Sequence, residues 1–272
     1  MPGFTVTSEN YFSREAEWRY CTNSQLKRFM ECPARWMQIL LGEWVEIPSE
    51  AMFAGTYVDL AMTEPANFLQ WVYENQKRIK TSAGKKKSTF VHLDAAMNVL
   101  RAEPKIMQYL KGDTQAVFAI DDFGGNGLRY KCKLDVLDLQ RRIVDLKTTE
   151  SLYRTQWSSR HKGHVGFLDF WLYWRQLALY RAAVKHVHGV TLPCYIVAIE
   201  KKPYYDRGLF YLDNERYLDQ EARFAIEVML TMQEIKEAGT PAEDMDRCER
   251  CDYCVSTKKI LKPLSVQPAK LF

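Results

Sequence analysis

Residues 128–148 constrain this chain most. Leu128, Tyr130, Cys132, Leu134 and Val136 alternate with Arg129, Lys131, Lys133 and Asp135. Period two is the pattern of a half-buried strand with one polar face. Gln140-Arg141-Arg142 reads as a short polar turn, and Ile143–Thr148 as a second strand. Strands joined so tightly pair antiparallel. A register centred on Gln140 puts Asp135 opposite Asp145, with Cβ atoms roughly 5 Å apart. Asp145 and Lys147 project from one face of their strand. Carboxylates that close repel each other unless a proton or cation lies between them. Mg²⁺ or Mn²⁺ favours oxygen ligands and would suit the pair. Such an ion activates water and steadies charge on a phosphate oxygen, and Lys147 stands where it could assist the attack. A lone Asp-X-Lys is commonly a surface ion pair, so the specificity lies in the two strands together.

The rest of the chain sets these strands among helices. Ser24 is a candidate cap for a helix carrying Leu26, Phe29 and Met30, and Pro33 restarts it with Trp36, Ile39 and Leu40. A second helix is expected from about Gly55 to before Pro65, and another over 92–111 with a break at Pro104. Gln115 to Asp121 reads as strand, and Asp122 to Gly127 as turn. A long helix over about 167–188, strands at 192–200 and 208–213, and a helix at 215–238 ending at Gly239 follow. Phe170, Trp171, Trp174, Leu177 and Val184 make the 167–188 helix apolar on most sides, so burial is expected. This order predicts an α/β fold, a mixed central β-sheet flanked by helices, in a single domain.

With 272 residues, 47% apolar and 26% charged, the chain is globular rather than disordered or fibrous. Its richest apolar run, Phe167–Trp174, is short and holds Asp169, so no membrane span is expected. The opening residues show no basic-then-apolar leader, and a reducing cytoplasm is the default location. The net charge of +4 permits nucleic acid as a partner without demanding it.

Seven cysteines are too sparse for a disulfide scaffold, but Cys248-X-X-Cys251-X-X-Cys254 is a specific pattern. This spacing supplies three ligands to a [4Fe–4S] cube, with a remote Cys-Pro as the fourth, and Cys32-Pro33 is such a residue. The cluster is the preferred expectation; tetrahedral Zn²⁺, which four thiolates suit as well, is the rival, and free thiols the remaining reading. Either site would staple the ends of the chain together. Cys21, Cys132 and Cys194 read as core or surface residues.

Lys133-Leu-Asp135 followed by Ile143-Val-Asp-Leu-Lys-Thr-Thr149 resembles the core of the PD-(D/E)XK nucleases, in the RecB-like and RecE-like (exodeoxyribonuclease VIII-type) exonuclease branch. Phe53-Ala-Gly-Thr-Tyr-Val-Asp-Leu-Ala-Met-Thr-Glu-Pro65 resembles the branch's Gly-Thr-X-X-His helix. Gln176-Leu-Ala-Leu-Tyr180 resembles its Gln-X-X-X-Tyr motif. Ser24-Gln-Leu-Lys-Arg-Phe-Met-Glu-Cys-Pro-Ala-Arg-Trp36 resembles the Leu-X-X-Phe-X-X-Cys-Pro signature of RecB, AddB and the CRISPR adaptation nucleases. These motifs come in the family's order over about residues 24–260.

The resemblance implies a restriction-endonuclease-like core at about residues 50–215 within one domain, 1–272. It implies that the cysteine-bearing segment 240–272 packs near Cys32. It implies a metal-dependent exonuclease processing double-stranded DNA ends, with single-stranded DNA also allowed, for recombination or repair in a phage or mobile element. A single-strand annealing protein is the implied partner, and an oligomer is allowed. The alternatives are a CRISPR-adaptation-like Fe–S nuclease or endonuclease, or a catalytically weakened DNA-binding module. By this likeness Asp135 and Asp145 bind metal, with Asp59 as third ligand where the family has His. Lys147 assists catalysis. Gln176 and Tyr180, one helical turn apart, order the site or hold DNA. Apart from the likeness, Arg160, His161 and His164, in the basic loop after the catalytic strand, are candidates to touch phosphate, against the reading of an ordinary exposed basic loop. Gln115 stands where relatives often carry Glu.

Overall fold

A computed structural model describes residues 4–259. The chain begins with helices α1 (Arg14–Arg19), α2 (Asn23–Glu31), α3 (Pro33–Leu41), α4 (Glu50–Thr63), α5 (Pro65–Glu74), α6 (Gln76–Ile79), α7 (Ser88–Arg101) and α8 (Pro104–Tyr109). Strands β1 (Asp113–Phe123), β2 (Leu128–Asp138) and β3 (Arg142–Thr149) form a meander. A short hairpin, β4 (Gln156–Ser158) and β5 (Gly163–Val165), leads to α9 (Phe167–Phe170) and α10 (Tyr173–His188). Strands β6 (Cys194–Glu200) and β7 (Arg207–Tyr211) and helices α11 (Glu215–Ala238) and α12 (Asp252–Ser256) complete it. The main sheet has the order β1-β2-β3-β6-β7. It is mixed: β3 and β6 are parallel, joined by the crossover through α10, and the other neighbours are antiparallel.

Each face of the sheet has its own apolar layer. Leu134, Ile143, Ile196 and Ala198 pack with residues of α2, α3, α10 and α11. Val136, Val144, Leu146, Val197 and Ile199 pack with residues of α4 and α7. A strand buried on both faces reads as a continuous apolar run, as β6 does. The expected α/β architecture, a mixed sheet flanked by helices in one domain, is the one observed.

The β2–β3 register centres on Gln140, as the turn predicts: Val136 pairs with Val144, Leu137 with Ile143 and Asp138 with Arg142. The ladder ends there. Asp135 does not take up the next backbone pairing; its Oδ2 accepts the Leu146 N–H at 2.8 Å instead. The pleat changes phase at this residue, so Leu134 faces one layer and Val136 the other. On the outer side Gln115 takes a left-handed φ of 55° and drops out of the β1–β2 pairs. The alternation expected through Val136 therefore stops at Leu134. The expected polar face is also covered in part. Lys131 is fully buried, donating to the Tyr11 carbonyl and to Glu17 Oε1, because α1 and the segment before it lie across β2.

Several boundaries move for local reasons. Thr22, not Ser24, caps α2, its Oγ1 accepting the Gln25 N–H at 3.1 Å. Ser49 caps α4, so that helix starts ahead of Gly55. The single helix expected at 167–188 is two, broken at Leu172, whose φ is 58°. Trp171 beside the break is 48% exposed rather than buried. Gly239, at φ 62°, ends α11. Beyond it the chain returns to α3, where the Ala34 N–H donates to the Asp246 carbonyl and Trp44 packs edge-on to Tyr253. The part of segment 240–272 past residue 259 lies outside the described residues. Among the described residues no helix is long and apolar enough to cross a membrane.

One buried ion pair ties α10 to α11. Arg175, fully buried, donates Nε–H to Glu221 Oε2 at 2.9 Å, and Arg160 reaches Glu221 Oε1 from the β4–β5 turn. Removing one partner from a buried pair leaves an uncompensated charge. Glu221→Ala should therefore cost about 3–5 kcal/mol of stability. Urea unfolding checks this; a loss below about 1 kcal/mol, the scale of an exposed pair, would refute it.

Candidate functional site

The site lies in the fork where β2 and β3 part. Asp145 comes from the central strand β3 and its side chain is fully buried. Its Oδ1 accepts from Gln176 Nε2 at 3.0 Å, and its Oδ2 stands 2.5 Å from Lys147 Nζ. Gln176 Nε2 also donates to Tyr180 Oη at 2.8 Å, so one face of α10 holds the carboxylate in place. Asp135 reaches in from β2, anchored by the Leu146 N–H. Asp59 enters from α4. Gln115 Nε2 lies 3.3 Å from its Oδ2 and donates to Thr63 Oγ1 at 2.8 Å. Lys133 and Glu64 pair beside them at 2.9 Å.

The charges are unbalanced. Asp59, Asp135 and Asp145 face Lys147 with too little positive charge among them. Burial, then Asp59 and Asp145, push the Asp135 carboxyl well above the usual carboxylate range. Burial also raises Asp59, and Asp145 adds to this, against the pull of Lys147 and Lys133. Burial alone would lower Lys147, but Asp145 and Asp135 outweigh it and raise it. Lys147 is therefore an ammonium here, a donor and a charge rather than a base. Burial and the nearby aspartates raise Tyr180 too, so its hydroxyl stays protonated. An all-oxygen donor set with excess negative charge is chemically suited to a hard divalent ion, and Asp59, Asp135 and Asp145 are the residues that could hold one, although their oxygens, unlike the four cysteine sulfurs, do not all lie within 4.8 Å of one another.

The hairpin residues stand apart from this network. Arg160 is held by Glu221, His161 Nδ1 lies 2.9 Å from Ser158 Oγ, and His164 packs edge-on to Trp157. Among the described residues, no hydrogen bond or ion pair links them to the carboxylates. Two side chains near the site escape a reading of the sequence. Tyr173 opens α10, and its ring lies 5.2 Å from Lys147 Nζ. Lys27 of α2 is pushed down to about 8, by burial first and then by Lys147. Lys27 sits among the Leu-X-X-Phe-X-X-Cys-Pro residues, but a lysine on an amphipathic helix gives no sign of what it faces.

A second centre joins the ends of the chain. Cys32, Cys248, Cys251 and Cys254 present sulfurs all within 4.8 Å of one another. Cys32 and Cys254 are 3.6 Å apart and Cys248 and Cys254 4.0 Å, with no disulfide. Cys32 closes α2 and opens α3. The N–H groups of Arg35, Cys251 and Cys254 point at Cys32, Cys248 and Cys251 at 3.5, 3.3 and 3.4 Å. Burial opposes ionisation of Cys248, but the N–H groups of Arg250 and Cys251 outweigh it, bringing the thiol down to about 6. Cys21, Cys132 and Cys194 are buried elsewhere as core residues.

A five-stranded mixed sheet with acids and a lysine at the parting of its second and third strands is the PDDEXK-like α/β fold. The family described as "PDDEXK-like domain of unknown function (DUF3799)" matches residues 22–257, and the chain belongs to it. A crystal structure described as a "putative exonuclease" from Eubacterium rectale is similar over 97% of this chain and 97% of its own, with a TM-score of 0.87 and 28% identity. A second solved structure, SSO0001, covers 75% of this chain and 84% of its own at TM-score 0.27 and 15% identity, too remote to bear on the fold. No curated protein matches the sequence.

The raised carboxyls set the sign of a pH effect. Between the usual carboxylate range and the raised values the folded chain binds more protons than the unfolded one, so its stability falls as pH rises through that window. A divalent ion bound there would replace those protons. Millimolar Mg²⁺ should therefore raise the melting temperature more at about pH 8 than at about pH 5. Scanning fluorimetry at both pH values decides; an equal or larger shift in acid would sink the assignment.

Proposed function

We propose that this protein is a metal-dependent deoxyribonuclease, an exonuclease that hydrolyses phosphodiester bonds at double-stranded DNA ends. The observation that carries the reading is the meeting of Asp59, Asp135, Asp145 and Lys147, from three elements, in one fork of the sheet. Membership of a PDDEXK-like family and likeness to a protein described as an exonuclease support it.

Asp59, Asp135 and Asp145 would hold the ion. When bound, a divalent ion supplies an activated water and offsets charge on phosphate oxygen. The chain's own residues do the rest. Gln176, steadied by Tyr180, keeps the Asp145 carboxylate in one orientation. Lys147 offers its ammonium to the charge that develops on the phosphate. Asp59 in place of the family's His makes the donor set wholly oxygen and turns its preference toward Mg²⁺ or Mn²⁺. The single-stranded tails such digestion leaves are the material of recombination and repair, and a single-strand annealing protein is the partner class this reading carries. Arg160, His161 and His164 retain only a secondary part as an exposed basic hairpin.

For the cysteine centre we infer one tetrahedral ion. A Zn–S bond of about 2.3 Å puts thiolates about 3.8 Å apart in a tetrahedron. The sulfur separations of 3.6 and 4.0 Å match that. A cube spreads its four thiolates over four irons and needs a wider setting. Its role is structural, tying the segment after α11 to the start of α3.

Two measurements test these readings. Linear DNA should be digested while covalently closed DNA survives, and Lys147→Ala should lose about 10²–10³-fold in rate while still binding. Cutting of closed circles would favour an endonuclease, and binding without cutting a DNA-binding module. Anaerobically purified protein should be colourless and carry one zinc per chain; a brown sample containing iron would restore the [4Fe–4S] alternative.

A further inference from the structure

Two lysines share one aromatic ring beside the carboxylates. Lys147 Nζ lies 5.2 Å from the centre of the Tyr173 ring and Lys27 Nζ lies 5.6 Å from it. They come from β3 and α2, which nothing in local sequence brings together. Lys27 Nζ donates to the Trp171 carbonyl at 2.9 Å. That carbonyl precedes Leu172, whose left-handed φ of 58° costs energy in a β-substituted residue. Among the described residues Lys27 has no carboxylate within ion-pair distance. The ammonium is partly exposed, with two N–H donors beyond the Trp171 bond open to solvent or to an anion. The first turn of α10 has no side-chain cap, and its N–H groups add to the positive potential there.

We propose that Lys27 is a phosphate-binding residue, holding a phosphodiester beside the one at which Lys147 and the carboxylates act. The inference rests on the nuclease reading above and deepens it. The two ammoniums cannot be further apart than their summed distances to the ring. That bound leaves both ammoniums within reach of neighbouring phosphates on one strand, since successive phosphates advance about 3.4 Å along the axis. Lys27 would act through strand binding rather than on the reacting atoms. The bland alternative is an ammonium that only ties α2 to the Trp171 carbonyl.

The test compares wild type, Lys27→Met, Lys27→Gln and Lys27→Arg on a linear duplex. Binding is measured without divalent ion over a range of salt, and cleavage kinetics with Mg²⁺. Lys27→Met keeps the aliphatic stem, and Lys27→Gln keeps a donor while deleting the charge. Both should reduce the steepness of log K against log salt by about 0.9, one phosphate contact on a duplex. Both should raise KM several-fold with kcat within about twofold, as loss of uniform binding does. Lys27→Arg should restore both. A wild-type salt slope and KM in either charge-deleted variant, at an unchanged melting temperature, overturns the proposal. So does a fall in kcat and melting temperature with the salt slope intact, the mark of a purely structural lysine. If wild type neither binds nor cuts DNA, the nuclease reading itself fails and the subsite with it. If wild type cuts but the slope does not respond to Lys27, only the subsite fails.

Discussion

The rest of the molecule is arranged around one hydrogen bond, from the Leu146 N–H to the Asp135 carboxylate. In a regular antiparallel pair that N–H would go to a backbone carbonyl. Giving it to a side chain ends the β2–β3 ladder, reverses the pleat of β2 and opens the fork. Without the fork, Asp135 would be one more strand residue. With it, two strands and α4 each bring a carboxylate into one neighbourhood, and Gln176 and Tyr180 of α10 hold that of Asp145.

Such a cluster is costly to hold together. Three carboxylates gathered about Lys147 repel, and burial makes the charged forms dearer still. The fold answers with rigid neighbours. Asp145 sits on the central strand, held from both oxygens, and Gln115 and Thr63 engage Asp59. The remaining excess of negative charge suits a divalent ion, and the two lysines on the Tyr173 ring suit an anionic strand lying beside it. The same economy of buried charge recurs away from the site, where Glu221 serves two arginines and Lys236 donates to Gln25 and two carbonyls.

The cysteine centre works at the opposite scale. It connects residues more than two hundred positions apart and closes α2, α3 and the C-terminal segment into one unit. Because α2 also carries Lys27, the staple holds the helix that faces the site. A structural ion there would fix the distance between the α2 lysine and the Tyr173 ring without touching the chemistry.

Period-two patterning and a tight turn made the β2–β3 hairpin and its register legible, because strand pairing and side-chain direction are local geometry. Cysteine spacing and its remote Cys-Pro partner were legible because metal-ligand chemistry limits the choices. Helix breaks were not: Leu172 is neither Gly nor Pro, and only the tertiary contact of Lys27 with the Trp171 carbonyl accompanies its turn. Lys131 looked like a solvent-facing lysine until the N-terminal segment covered it. The sequence by itself marked the acids, lysine and cysteines worth considering as candidates and determined which strands would pair. Only the tertiary structure decided which of those side chains meet, since the pleat change at Asp135, the approach of α4, and the sharing of Tyr173 by Lys27 and Lys147 depend on packing between elements distant in the chain.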